Sequence, residues 1–210
     1  NEVVGFLGLN GAGKTTTLKV LAGLLLPSGG GVTVDGVDMS ESPTDVRAGI
    51  GFLPEDPPLY TEMTVRDFLS FLGGLRGMST ATIDARMPIV LEKTNLDEVA
   101  DRVISELSHG YRKRVGIAQA IIHQPKLVIL DEPISGLDPV QIVEMREVIR
   151  SLKAESTVLV SSHILSEISQ TCDRILVFSQ GRLVAQGTEQ ELAGRFHIGG
   201  SIDLVLRGDG

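Results

Sequence analysis

The sequence predicts an α/β fold with a mostly parallel sheet, an antiparallel β piece near the N-terminus and an inserted helical subdomain. Three observations carry that expectation. β-type runs at residues 127–130, 157–161 and 175–178 alternate with helical runs at 139–153 and 164–172, the order of parallel strands joined by crossover helices. Residues 60–114 show helical periodicity alone. The glycine-rich residues 8–15 sit between a strand-length apolar run and a stretch with Leu18, Leu21, Ala22 and Leu25 at helical spacing.

Taken in order, residues 1–60 hold a strand at 2–7, a helix from Lys14 to Leu26, the alternating Val32-Thr33-Val34 closed by the turn pair Asp35-Gly36, and a strand at 50–53. Residues 61–114 form the helical subdomain. Thr64 reads as an N-cap with Asp67 three positions on, and Phe68, Leu69, Phe71, Leu72 and Leu75 follow at helical spacing until Gly77. A second helical run covers 82–94, a connector leads from Leu96 towards Leu107, and a helix is expected from about Arg112 to Ile122. Residues 115–195 complete the α/β core. Residues 201–208 read as a fresh strand, so 196–210 are expected to open a C-terminal extension. The chain starts without Met, a few residues before the glycine-rich stretch, and is expected to be a piece of a longer protein.

Residues 8–15 fit G-x-x-x-x-G-K-[ST], the pattern of a phosphate-binding loop, here in the strand-loop-helix setting that the pattern requires. A polyphosphate needs several donors aimed inward, and Gly8, Gly11 and Gly13 let backbone N–H groups come close to it, with Asn10, Ala12 and Thr16 in the same run. Lys14 supplies a point charge for the β- and γ-phosphates, and Thr15 offers a hydroxyl to Mg²⁺. A polyphosphate is the implied ligand.

The apolar run 127–130 ends in Asp131-Glu132-Pro133. Ligands of α/β sheets lie beyond the carboxyl ends of strands, and successive strand residues face opposite ways, so the two carboxylates take different tasks. Asp131 is assigned to the Mg²⁺ shell and Glu132 to polarising the water that attacks the γ-phosphate. Ser108 and Gly110, at a helix start, form a second anion site or a simple Ser cap. His163, at the end of a β-run, either meets γ-phosphate oxygens or is satisfied at the next helix. Asp138 most plainly caps the helix opened by Pro139.

Composition narrows the class. With 42% apolar residues in 210 the chain can bury a sizeable core. The balance of 19 basic and 27 acidic side chains, a net charge of −8, argues against a nucleic-acid partner, and the basic triplet Arg112-Lys113-Arg114 reads as a solvated helix face. A lone Cys172 and no recognisable signal peptide fit a reducing cytosol, and the scattered histidines lack the thiols of a zinc site. No apolar run approaches the ~18 residues of a membrane span, so any membrane crossing falls to another chain.

Residues 8–16, Leu107-Ser108-His109-Gly110-Tyr111, 127–132, 135–138 and His163, in that order and spacing, resemble the nucleotide-binding subunit of ABC transporters along nearly all of residues 1–195. The resemblance implies a RecA-like P-loop NTPase core and a head-to-tail pair with a second ATP-binding subunit, expected to be a second copy. Each ATP would lie between the loop of one chain and the Ser108–Gly110 helix start of the other. It also implies an integral membrane permease as partner and a cytoplasmic chain, peripheral on the inner face of the cell membrane. Asp138 would carry communication across the dimer, and His163 would sense the γ-phosphate. Three departures stand out: Glu55 where most members have Gln, His109 and Tyr111 in the signature, and an adenine-stacking aromatic expected upstream of Asn1. Glu55 adds a carboxylate that can take Mg²⁺ but repels the γ-phosphate. The Leu53-Pro54-Glu55 form is similar to exporter ATPases of the ABC-2 type. The rival readings are a soluble ABC ATPase acting on DNA or ribosomes and a nucleotide-binding module without turnover.

Overall fold

Strands β1 (Val3–Leu7), β4 (Ile50–Leu53), β5 (Leu127–Leu130), β6 (Thr157–Ser162), β7 (Arg174–Ser179) and β8 (Arg182–Gly187) form one sheet in the order β4-β5-β6-β1-β7-β8. All pairings are parallel except β7 with β8. The structure, a computed structural model, describes residues 1–34 and 36–196. The antiparallel piece near the N-terminus is the two-stranded pair β2 (Thr33–Val34) and β3 (Val37–Asp38). The turn residue Asp35 and the strand expected at 201–208 lie outside the described residues.

Helices cover both faces, so the central strands are apolar throughout and not alternating. Along β5, Val128 and Leu130 pack into a large core with Phe68, Leu69, Val90 and Leu91, while Ile129 points the other way, to Leu18 and Phe6. Leu18 belongs to α1 (Lys14–Leu21); Phe68 and Leu69 belong to α3 (Val65–Leu75), and Val90 and Leu91 to α4 (Thr80–Thr94). Helix α3 starts where expected, because Thr64 Oγ1 accepts the Asp67 amide.

Helix α5 (His109–Ile121) lies hard against β4. A Cβ on Gly51 would sit 2.0 Å from the Ala120 carbonyl oxygen, and one on Gly116 would sit 2.5 Å from Leu53 Cδ1. Only glycine permits that approach, and it brings the start of α5 close to the strand ends.

Several boundaries differ from expectation. Helix α1 stops at Leu21, not Leu26, because Gly23, at φ +70°, closes a Schellman turn: its amide bonds Val20 O and the Leu24 amide bonds Lys19 O. Helix α5 begins at His109, directly after its Ser108 cap, three residues before the expected start; His109 and Gly110 have weak helix propensity, which hides the true beginning. Helix α7 (Leu165–Ser169) is shorter than the run 164–172. Helix α6 (Pro139–Leu152) matches its expected span almost to the residue. Helices α2 (Pro43–Ala48) and α8 (Glu189–Phe196) and strand β8 had no sequence expectation.

Candidate active site

Four neighbouring strands deliver the site. β1 runs into the loop at Gly8, β4 into Glu55, β5 into Asp131-Glu132 and β6 into His163, all at their carboxyl ends. There they surround a cavity of about 500 Å³, walled on one side by Asn10, Gly11, Gly13, Lys14, Thr15 and Thr16 and on the other by Glu55, Glu132, Ser135 and His163.

The loop keeps its shape through backbone that glycine favours. Gly11 and Gly13 have φ of +79° and +97°, and a Cβ on Gly8 would meet the Phe178 carbonyl oxygen at 2.6 Å. Gly8 and Ala12 do not line the cavity; the Gly181 amide donates to Ala12 O at 2.9 Å. Helix α1 has no side-chain cap, so its first amides are available to an anion. The side chain of Lys14 is 6% exposed; its Nζ donates to Gly8 O at 2.7 Å and lies 3.6 Å from Glu132 Oε1.

Glu132 is the most constrained residue of the group. It is buried at φ +47°, its amide donates to Ser161 Oγ at 2.8 Å, and its carboxylate lies 3.1 Å from His163 Nδ1. A carboxylate only accepts, so His163 Nδ1 carries the proton in this contact. Asp131 sits one residue back, 1% exposed and behind the cavity wall. Its Oδ1 accepts the Ser161 hydroxyl at 2.6 Å, and its Oδ2 is buried with no hydrogen-bond partner among the described residues.

Sequence reasoning missed Ser161. The register that pairs Leu130 with Val160 sets Ser161 beside Asp131, a signal that exists only once the sheet order is known. Ser135, which opens the motif at 135–138 and had no role of its own in the sequence reading, lines the cavity. Ser108 and Gly110 are not brought into it: Ser108 Oγ accepts the Tyr111 amide at 3.4 Å as an exposed cap, and His109 Nε2 lies 3.4 Å from Ser135 O. Asp138 is a cap, its Oδ1 accepting the amides of Val140 and Gln141 at 3.0 and 2.9 Å. The triplet Arg112-Lys113-Arg114 is not a solvated face. Lys113 and Arg114 are buried, Arg114 pairs with Glu144, and Arg112 donates to Ser105 O at 2.8 Å, because α5 packs between β4 and the helices α3 and α4.

Against known proteins, the ABC transporter family profile matches residues 1–135. The chain belongs to the ABC transporter family. It is 43% identical over 192 residues to the uncharacterized ABC transporter ATP-binding protein YxlF of Bacillus subtilis, covering 91% of this chain and 63% of that one. It is 38% identical over 209 residues to the Nod factor export ATP-binding protein I of Mesorhizobium japonicum, covering 99% and 61%. The chain thus spans about three fifths of both ABC transporter relatives. Among solved structures, cbiO1 of Clostridium perfringens, part of the ABC transporter complex cbiONQ, superposes with a TM-score of 0.84 at 29% identity, over 94% of this chain and 81% of that one.

Proposed function

We propose that this chain binds and hydrolyses ATP as the nucleotide-binding part of an ABC transporter and so powers export by a separate membrane permease. The observation that carries the reading is convergence: a loop of inward amides and one lysine faces two carboxylates and a histidine across a single cavity of about 500 Å³. Triphosphate entering it would take Lys14 Nζ from Gly8 O, and Glu132, freed from Lys14, would accept a proton from the attacking water. For His163 to donate to phosphate through Nε2 as well, the ring must hold a second proton or release Glu132.

Mg²⁺ fits the residues present. Thr15 Oγ1, Asp131 and Glu55 are hard oxygen donors, and the buried, unpartnered Oδ2 of Asp131 is the kind of atom a cation satisfies. Among the described residues no cluster of three or more His, Cys, Asp or Glu could hold a metal alone, which suits an ion shared with phosphates. Bound there, it would neutralise charge on the β- and γ-phosphates.

A second copy is proposed for the role of Ser108 and Gly110, which lie outside their own cavity and would close over the partner's nucleotide. Residues 61–114 would move as the unit carrying that helix start. Among the described residues no helix is long and apolar enough to cross a membrane. Membership of the ABC transporter family supports a separate permease for that task and a place for this chain on its cytoplasmic face. Export is favoured by the relative named for Nod factor export.

Glu132→Gln tests the reading. It should keep ATP binding, slow hydrolysis by on the order of 10²-fold or more, and trap an ATP-bound dimer on size exclusion. Unaltered turnover would remove Glu132 from its role and point to Glu55.

A further inference from the structure

Lys113 is a buried cation that this mechanism does not use. Its side chain is 2% exposed, and its Nζ donates to the carbonyl oxygen of Glu55 and, at 3.4 Å, to that of Glu132. Those carbonyls follow the ends of β4 and β5, so one ammonium group joins the backbones of two strand exits. The bare surfaces of Gly51 and Gly116 are what let α5 carry Lys113 there. Enclosing an ammonium group costs it hydration, and burial pulls the Lys113 pKa down. Asp56, Glu55, Glu132 and Asp131 oppose that pull and favour the charged form. Glu132 itself occupies a left-handed conformation that non-glycine residues seldom adopt, so its backbone must be held. Ser161 Oγ takes its amide, and Lys113 takes its carbonyl.

We propose that Lys113 is a positioning residue of the hydrolytic site, tying the backbones of Glu55 and Glu132 together and so fixing where both carboxylates stand relative to the γ-phosphate. This rests on the ATPase reading above. Lys113→Met keeps the apolar stem and removes the donors; Lys113→Gln keeps a neutral donor on a shorter stem that reaches one carbonyl at a time.

The experiment measures kcat, KM for ATP and amide hydrogen exchange in two segments of the full chain, Glu55-Asp56 and Asp131-Glu132. Lys113→Met should lower kcat roughly 10- to 100-fold, with KM within about twofold, since misplaced catalytic groups lose transition-state contacts while ground-state binding persists. Exchange should rise in those two segments and not elsewhere, with Lys113→Gln intermediate in both readouts. Wild-type kcat in Lys113→Met, or exchange that rises throughout the chain, overturns the proposal. If Lys113→Met does not fold, Lys113→Gln decides: a partial kcat loss with selective exchange supports the tether, and wild-type values overturn it. If the wild type binds ATP without turnover, the hydrolysis reading fails, and exchange alone judges Lys113, a selective rise upholding the tether and unchanged exchange rejecting it.

Discussion

Glu132 shows how far one side chain depends on residues that do no chemistry. Its φ of +47° is uncommon for a residue with a Cβ, costing on the order of 1 kcal/mol. Ser161 answers that cost at two points, since its Oγ accepts the Glu132 amide and its hydroxyl proton goes to Asp131 Oδ1. Removing the hydroxyl leaves a buried amide unpaired and takes away the donor to Asp131 Oδ1. Ser161→Ala should therefore cost about 1–3 kcal/mol of stability, the penalty of buried unsatisfied groups, and slow hydrolysis as well. Urea midpoints and phosphate release on the same preparations check both. A variant as stable and as active as the wild type would show that solvent replaces the hydroxyl. Lys14, Asp131, Glu132 and His163 were legible as candidates because each follows a local pattern, a glycine-rich loop or the polar end of an apolar run. Ser161 has no such pattern. Its role comes from the neighbouring strand, through a register that pairs Leu130 with Val160.

Among the elements, the seating of α5 on β4 decides the geometry of the strand exits. Gly51 faces the Ala120 carbonyl across a gap that no Cβ can enter without moving one backbone or the other. Gly51→Ala should cost about 3 kcal/mol, at the upper end for overpacking, because the obstacle is main chain and cannot rotate away. The thermal midpoint reads this directly; Gly74→Ala, on α3 with open space around it, serves as the control and should be neutral or slightly stabilising. The helices were readable where caps agree with periodicity, as at Thr64 and Asp138. β8 was not, although it is joined to β7 by the two-residue turn Gln180-Gly181, with φ of +49° and +72°. Positive φ at both positions is a type I′ hairpin turn, usually announced by Asn-Gly or Asp-Gly, and Gln in place of Asn hides the signal. The early stop of α1 was hidden in a similar way, since Leu24, Leu25 and Leu26 continue an apolar count while Gly23 has already turned the chain.

At the level of the whole molecule, the order β4-β5-β6-β1 makes four distant segments into one site, and that order is set by long-range packing that no local window reports. The same packing makes stability depend on pH through His123, at the far end of α5. Its Nε2 lies 3.2 Å from Ile50 O, its Nδ1 is buried without a partner among the described residues, and burial, helped by Arg76, pushes its pKa down to about 4 from 6.5. Between those values the unfolded chain takes up a proton that the folded chain refuses, so stability rises with pH over this interval. The contribution is complete above about pH 6.5 and is lost as pH falls towards 4, on the order of 2 kcal/mol once partial solvent access is counted. Further acidification adds a second loss: Asp173, held low by the Val3 amide and then Lys153, and Glu155, held low by Lys93 and Arg86, give up their contacts when protonated. Denaturant midpoints at pH 7.5, 5.5 and 4.5 should therefore fall steadily in the wild type, while His123→Gln, which has nothing to titrate there, should be nearly flat down to pH 4.5. Equal slopes in the two proteins would move the acid sensitivity from His123 to the carboxylate pairs.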